Sequence, residues 1–135
     1  MMAKIKEFIL LKIVIPIVDM IMGMKISYWY KRINKLNSLS RDKITEWQNR
    51  QFRDLIRFAY EHTVYYKEII DKSGYSIDDF TSTDDICCLP VLTKEIIRQR
   101  YSDIVPDNIT KIPHRKHSTG GSTGEPLRFI IDENT

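Results

Sequence analysis

Between residues 117 and 129 the chain reads HSTGGSTGEPLRF, and the six positions Thr119 to Gly124 carry only a hydrogen or a short hydroxyl group as side chain. Such a segment leaves main-chain amides open to a ligand. Ser118, Thr119, Ser122 and Thr123 add four hydroxyls able to donate to phosphate oxygens, while Gly120, Gly121 and Gly124 keep the path free of Cβ atoms. The chemistry indicated is the holding of an anion, a phosphate cradle, with no residue assigned to catalysis. The same composition suits a plain hairpin turn, because Gly and Ser are default turn residues. Two nucleotide loops can be set aside. A Walker loop needs a lysine straight after its last glycine, where Glu125 stands, and leads into a helix; a Rossmann loop aligned on Gly121 and Gly124 needs glycine at Thr119 and a following βαβ unit.

The elements that must position this loop change character along the chain. After Pro106, β-branched and aromatic residues flank the loop and LRFII follows it, which reads as strand, loop, strand. Upstream, Ile44, Trp47, Phe52, Leu55, Ile56 and Ala59 recur at three- and four-residue intervals between charges, predicting an amphipathic helix that Ser40 can cap. A shorter helix over residues 65–72 should stop at Gly74, which tolerates the left-handed C′ conformation. Thr83 or a neighbour, before Asp84 and Asp85, and Thr93, before Lys94 and Glu95, mark two further helix starts, separated by Pro90. His62 fits a helix-end histidine with a partner nearby, since no Ser, Cys or carboxylate constellation surrounds it in sequence. The Asn-Ile-Thr string at 108–110 is read as a chance match to a glycosylation signal.

The first 36 residues differ from the rest. They hold seven Lys or Arg against Glu7 and Asp19, whereas the remaining chain is slightly acidic, so composition does not indicate nucleic acid as a partner. Within them, FILLKIVIPIVDMIMGM (residues 8–24) is the most apolar stretch. On a regular helix Lys12, Pro16, Asp19 and Gly23 would form one narrow polar or weak stripe. Three roles fit: a helix packed in protein or between subunits, an interfacial helix on the inner face of a membrane, or a span shortened by its charges. No small-residue cleavage site follows the apolar run. Cys87 and Cys88 are adjacent, lack metal, redox or disulfide spacing, and read as two small apolar side chains in a packed segment of a cytoplasmic protein. Three regions result: 1–36, basic and apolar; 37–105, helical; 106–135, strand-forming and carrying the loop. With 135 residues, 42% apolar and 29% charged, the composition is that of a globular protein.

Thr119 to Pro126, TGGSTGEP, resembles the phosphate-binding loop of the adenylate-forming superfamily, a [ST]-[SG]-G-[ST]-T-G-x-P string between two strands. Two upstream strings are similar to the opening of its phenylacetate–CoA ligase and CapK branch. Ala59, Val64 and Tyr66 keep the first; Asp85, Ile86, Leu89, Pro90, Leu92, Thr93 and Lys94 keep the second. Together they cover roughly residues 45 to 130. Tyr65 stands where the branch commonly has proline. Glu125 and Leu127 replace lysines that flank the loop proline in many members, leaving Arg128, Lys116 or Arg115 to supply the charge. The TGGSTGEPL form looks more like the CapK-type, polysaccharide-associated proteins.

The resemblance implies an α+β fragment, in which N-terminal helices precede a β-hairpin that would begin the mixed α/β core of an adenylate-forming N-terminal domain. It implies a reaction in which a carboxylate attacks the α-phosphate of ATP, with Mg²⁺ assisting and coenzyme A or another acceptor taking the acyl group. Ser118, Thr119, Gly120, Gly121, Ser122, Thr123 and Gly124 would then bind the phosphates. The family's adenine pocket, acceptor site and catalytic lysine lie further along than residue 135. The expectation is therefore an N-terminal piece of such a ligase, inactive alone, with the remainder of a split ligase as one partner; a small helical interaction module or relic is the alternative.

Overall fold

The computed structural model describes residues 2–23, 25–120 and 126–133, with the backbone alone for residues 2–4 and 7. It is mostly helical and ends in a two-stranded antiparallel hairpin, an α+β arrangement. Two compact units divide the chain, residues 1–45 and residues 46–135.

In the first unit, helix α1 (Met2–Ile9) runs into a π-helical segment (Leu10–Val14) and on into α2 (Ile15–Met22), after which Gly23, at φ 64°, turns the chain toward α3 (Ile26–Asn37). The expected stripe of Lys12, Pro16, Asp19 and Gly23 is corrected by this geometry. A π segment breaks the 3.6-residue spacing, so residues before and after it do not keep one α-helical face. Asp19 has a different use: both of its carboxylate oxygens accept from the first amides of α3, Ile26 N and Ser27 N, at 2.8 Å each. The Ser27 bonds hold its pKa below the usual carboxylate value. Among the described residues, no helix is long and apolar enough to cross a membrane.

Helix α4 (Arg41–His62) begins straight after Ser40, whose carbonyl accepts from Ile44 N at 3.0 Å. Of its apolar positions, Phe52 and Ile56, one turn apart, are buried. Thr63 ends this helix and starts the next. Its hydroxyl donates to the Ala59 carbonyl at 2.7 Å and accepts from Tyr66 N at 3.2 Å, and its extended backbone separates α4 from α5 (Val64–Ser73). As expected, Gly74 closes α5 in the left-handed conformation, φ 77°. Two 3-10 turns (Ile77–Asp79 and Thr83–Cys88), α6 (Lys94–Gln99), α7 (Tyr101–Ile104) and a third 3-10 turn (Ile109–Lys111) lead to β1 (His114–Ser118) and β2 (Arg128–Asp132).

The core of the second unit is small: Phe52, Ile56, Ile70 and Phe80, flanked by Tyr60, Ile69, Ile77, Cys88 and Leu89. Much of the expected family string is used in building it. Leu89 packs on the core, and the Thr93 hydroxyl caps α6 by accepting from Ile96 N at 3.3 Å. Asp85 accepts from Thr81 N and Ser82 N, both at 2.8 Å, so the helix start expected near Thr83 is capped from Ser82. Those amide bonds lower the Asp85 pKa, the Ser82 contribution first. The cysteines diverge: Cys88 is half-buried against the core, whereas Cys87 is exposed, with its thiol directed at the Asp84 carbonyl. A six-residue 3-10 turn sends neighbouring side chains in different directions, so one of the pair faces solvent.

Arg100 braces α5 against α7. It donates to Glu68 at 2.6 Å and to Asp103 at 2.8 Å, and its guanidinium lies 5.0 Å from the centre of the Tyr65 ring. This explains the tyrosine at a position that is commonly proline in the resembling branch. Residue 65 lies in the first turn of α5, where an amide has no intrahelical partner and proline is tolerated; tyrosine instead supplies a buried ring beneath a cation.

Candidate functional site

The hairpin presents the Gly/Ser/Thr loop on a defined base. His114 pairs with Asp132 and the register continues to Ser118 opposite Arg128. Beyond this last pair the neck is tied once more: Thr119 N donates to the Leu127 carbonyl at 3.0 Å, and Leu127 N donates to the Thr119 hydroxyl oxygen, also at 3.0 Å. The Thr119 oxygen is thus engaged in closing the loop, and among the described residues its proton has no acceptor. Gly120 follows, and a Cβ built there would meet nothing within 4 Å. Ser118 is the last residue of β1; Gly121, Ser122, Thr123 and Gly124 lie outside the described residues.

Strand alternation places Lys116, Ser118, Arg128 and Ile130 on one face of the hairpin, and Arg115, His117, Phe129 and Ile131 on the other. Of the three cations considered from sequence, Arg115 bonds Glu133 at 2.8 Å near the end of the hairpin remote from the loop, on the face opposite Ser118. Arg128 and Lys116 share the Ser118 face. Arg128, with Pro126 and Leu127, also lines a cleft of about 390 Å³ whose other wall is Ile97, Arg98 and Tyr101 of α6 and α7. Two arginines, a phenol and the loop neck therefore converge beside the segment expected to hold phosphate, a combination suited to charge-assisted hydrogen bonding of an oxyanion. Arg98 and Tyr101 were not among the residues expected at the site. They precede the loop by about twenty residues in a short helical stretch whose pattern signals only packing, so no local motif marks them.

Next to this cleft, a wider apolar groove of about 750 Å³ runs between α4, α7 and the hairpin, with Leu55, Phe58, Ile104, Ile112 and Ile130 among its walls. Leu55, 63% exposed on the amphipathic helix, looks into this groove. His62 has the structural use expected: Nδ1 lies 2.9 Å from Asp107 Oδ1, and Asp107 N donates to the His62 carbonyl at 2.8 Å. Among the described residues no group of three His, Cys, Asp or Glu is arranged to hold a metal. The donor set at the loop suits phosphate oxygens; Mg²⁺ in phosphoryl sites takes much of its shell from phosphate and water.

No family model matches the chain. It is similar to phenylacetate–coenzyme A ligases of Thermus thermophilus (26% identical over 96 residues, 68% of this chain and 21% of the relative) and Escherichia coli (26% over 107 residues, 76% and 24%). A third, from Pseudomonas putida, is 24% identical over 106 residues, 76% of this chain and 23% of the relative. These similarities support a distant relationship to the adenylate-forming family. The chain spans less than a quarter of the length of these curated relatives.

Proposed function

We propose that this polypeptide is the phosphate-holding opening segment of an AMP-forming carboxylate ligase, CapK-like in its loop, acting in the cytoplasm and serving capsular or exopolysaccharide synthesis. The observation that carries the reading is the glycine and hydroxyl loop mounted on an antiparallel hairpin, its neck tied between Thr119 and Leu127 beside Arg128. In this reading Ser118, Thr119 and Gly120, continued by Gly121, Ser122, Thr123 and Gly124, donate to the β- and γ-phosphates of ATP, with Mg²⁺ sharing the negative charge. Fixed donors stabilise charge building on the leaving pyrophosphate without reorganising. Arg128 takes the place of the lysines absent at Glu125 and Leu127. The apolar groove between α4, α7 and the hairpin is the seat for the further polypeptide that carries the adenine, acyl and coenzyme A sites, continuous with this one or supplied separately.

Gly120→Ala is the discriminating variant, because a Cβ there meets nothing within 4 Å among the described residues beyond its chain neighbours, while in this reading it intrudes on the phosphate seat. The expected result is an unchanged circular dichroism spectrum and a loss of ATP binding of about tenfold or more, measured by equilibrium dialysis. Undiminished binding would sink the cradle. The polypeptide alone should show pyrophosphate exchange at background with a panel of carboxylates; exchange above background would remove the need for a further segment. The second reading, an interaction module, rests on a different part of the chain, the exposed apolar surface of residues 5–33.

A further inference from the structure

Among the described residues, fourteen of the twenty-one exposed large apolar side chains lie between positions 5 and 33, and none in the first unit is buried. They run the length of the rod, from Ile5 and Phe8 through Ile13 and Ile17 to Met20 and Ile21, the last two 79% and 73% exposed just before the Gly23 turn. Apolar surface of this extent marks a docking face. We infer that the first unit is a docking surface for an anionic lipid bilayer, lying in the interface with its apolar side chains among the upper acyl carbons.

Charge selects this occupant. Residues 1–36 of this unit carry seven Lys or Arg and two acidic residues, and Asp19 is turned onto the amides of α3. Two copies meeting through so basic a surface would repel, whereas anionic headgroups attract it. The border chemistry agrees: Tyr28 and Trp29 pack edge to face at 5.2 Å, and Arg32 lies 5.3 Å from the Trp29 ring while donating to the Tyr28 hydroxyl at 3.1 Å. Aromatic rings beside cations suit the headgroup level. Lys12, exposed on the apolar rod, has a stem long enough to bring its ammonium up to that level. A rod that carries Lys6, Glu7, Lys12 and Asp19 along its length lies on a bilayer rather than across it, and among the described residues no helix is long and apolar enough to cross.

Flotation of the full chain with vesicles tests this directly. Binding should be about tenfold or more stronger to mixed phosphatidylglycerol and phosphatidylcholine vesicles than to phosphatidylcholine alone, and should fall as salt rises. In a Trp47→Phe background, Trp29 emission should shift to the blue on binding. Met20→Asp with Ile21→Asp should cut binding about tenfold or more, as should Lys31→Gln with Lys35→Gln; all four side chains are exposed, so circular dichroism should stay unchanged. Equal binding to neutral vesicles, binding indifferent to both pairs of substitutions, or a vesicle-free chain found as a stable dimer would each overturn the inference.

Discussion

Thr63 shows how much one hydroxyl can organise. It closes α4 by donating to Ala59 and opens α5 by accepting from Tyr66 N, in a residue only 7% exposed. Thr63→Ala removes the α5 cap and leaves the helix amide with no side-chain acceptor, so stability should fall by about 1–2 kcal/mol. Thr63→Ser should recover most of it, with urea denaturation midpoints as the measurement; indistinguishable midpoints for wild type and Thr63→Ala would refute this role. Thr119 repeats the device in the hairpin, with its oxygen spent on Leu127 and its proton left over. A side chain that looks like a ligand donor in sequence is thereby shown to be half committed to the scaffold.

At the level of elements, α5 and α7 are held by a charged bracket. Bonds from Lys72 and then Arg100 depress the Glu68 pKa below its ordinary 4.5. A carboxylate whose folded value is depressed contributes stability above the unfolded value and loses it as pH falls through the folded one. Thermal midpoints should therefore drop as pH is lowered from about 4.5, and Glu68→Gln should flatten that part of the profile; an identical acid limb in the variant would exclude Glu68 as the source.

The elements themselves were largely legible in the residues. Gly74, Thr93 and the acidic first turns set helix limits through local bonds, and the β-branched and aromatic residues flanking the Gly/Ser/Thr loop set the hairpin, because these signals act within a few residues of where they are written. The π segment at Leu10–Val14 was not legible, since LLKIV suits an α-helix equally well. Nor was the approach of Arg98 and Tyr101 to Arg128, which depends on how α6 and α7 meet the hairpin, nor the opposite fates of Cys87 and Cys88.

Taken whole, the second unit carries a small core, centred on Phe52, Ile56, Ile70 and Phe80, beside an open and largely apolar groove. Stability should be distributed accordingly. Amide hydrogen exchange should be slowest in α4 and α5, around Phe52, Ile56 and Ile70, and fastest in the two-stranded hairpin, which has no third strand among the described residues. Equal protection in the two regions would contradict a core that excludes the hairpin. A polypeptide laid over the groove should slow exchange in the hairpin more than in α4 and α5, because the hairpin starts from the lower protection.

The π segment carries a further consequence, in the currency of chain length. One extra residue per wide turn is the equivalent of a single-residue insertion in an otherwise α-helical run. The first unit therefore holds a spare residue between Leu10 and Val14. Losing it would tighten the turn to an ordinary α-helix rather than break it, and would leave the side chains of α2 facing as they do relative to α1, because the wide turn already absorbs the extra residue. Loss of one residue at this point would therefore spare both the helices and the direction of the apolar surface.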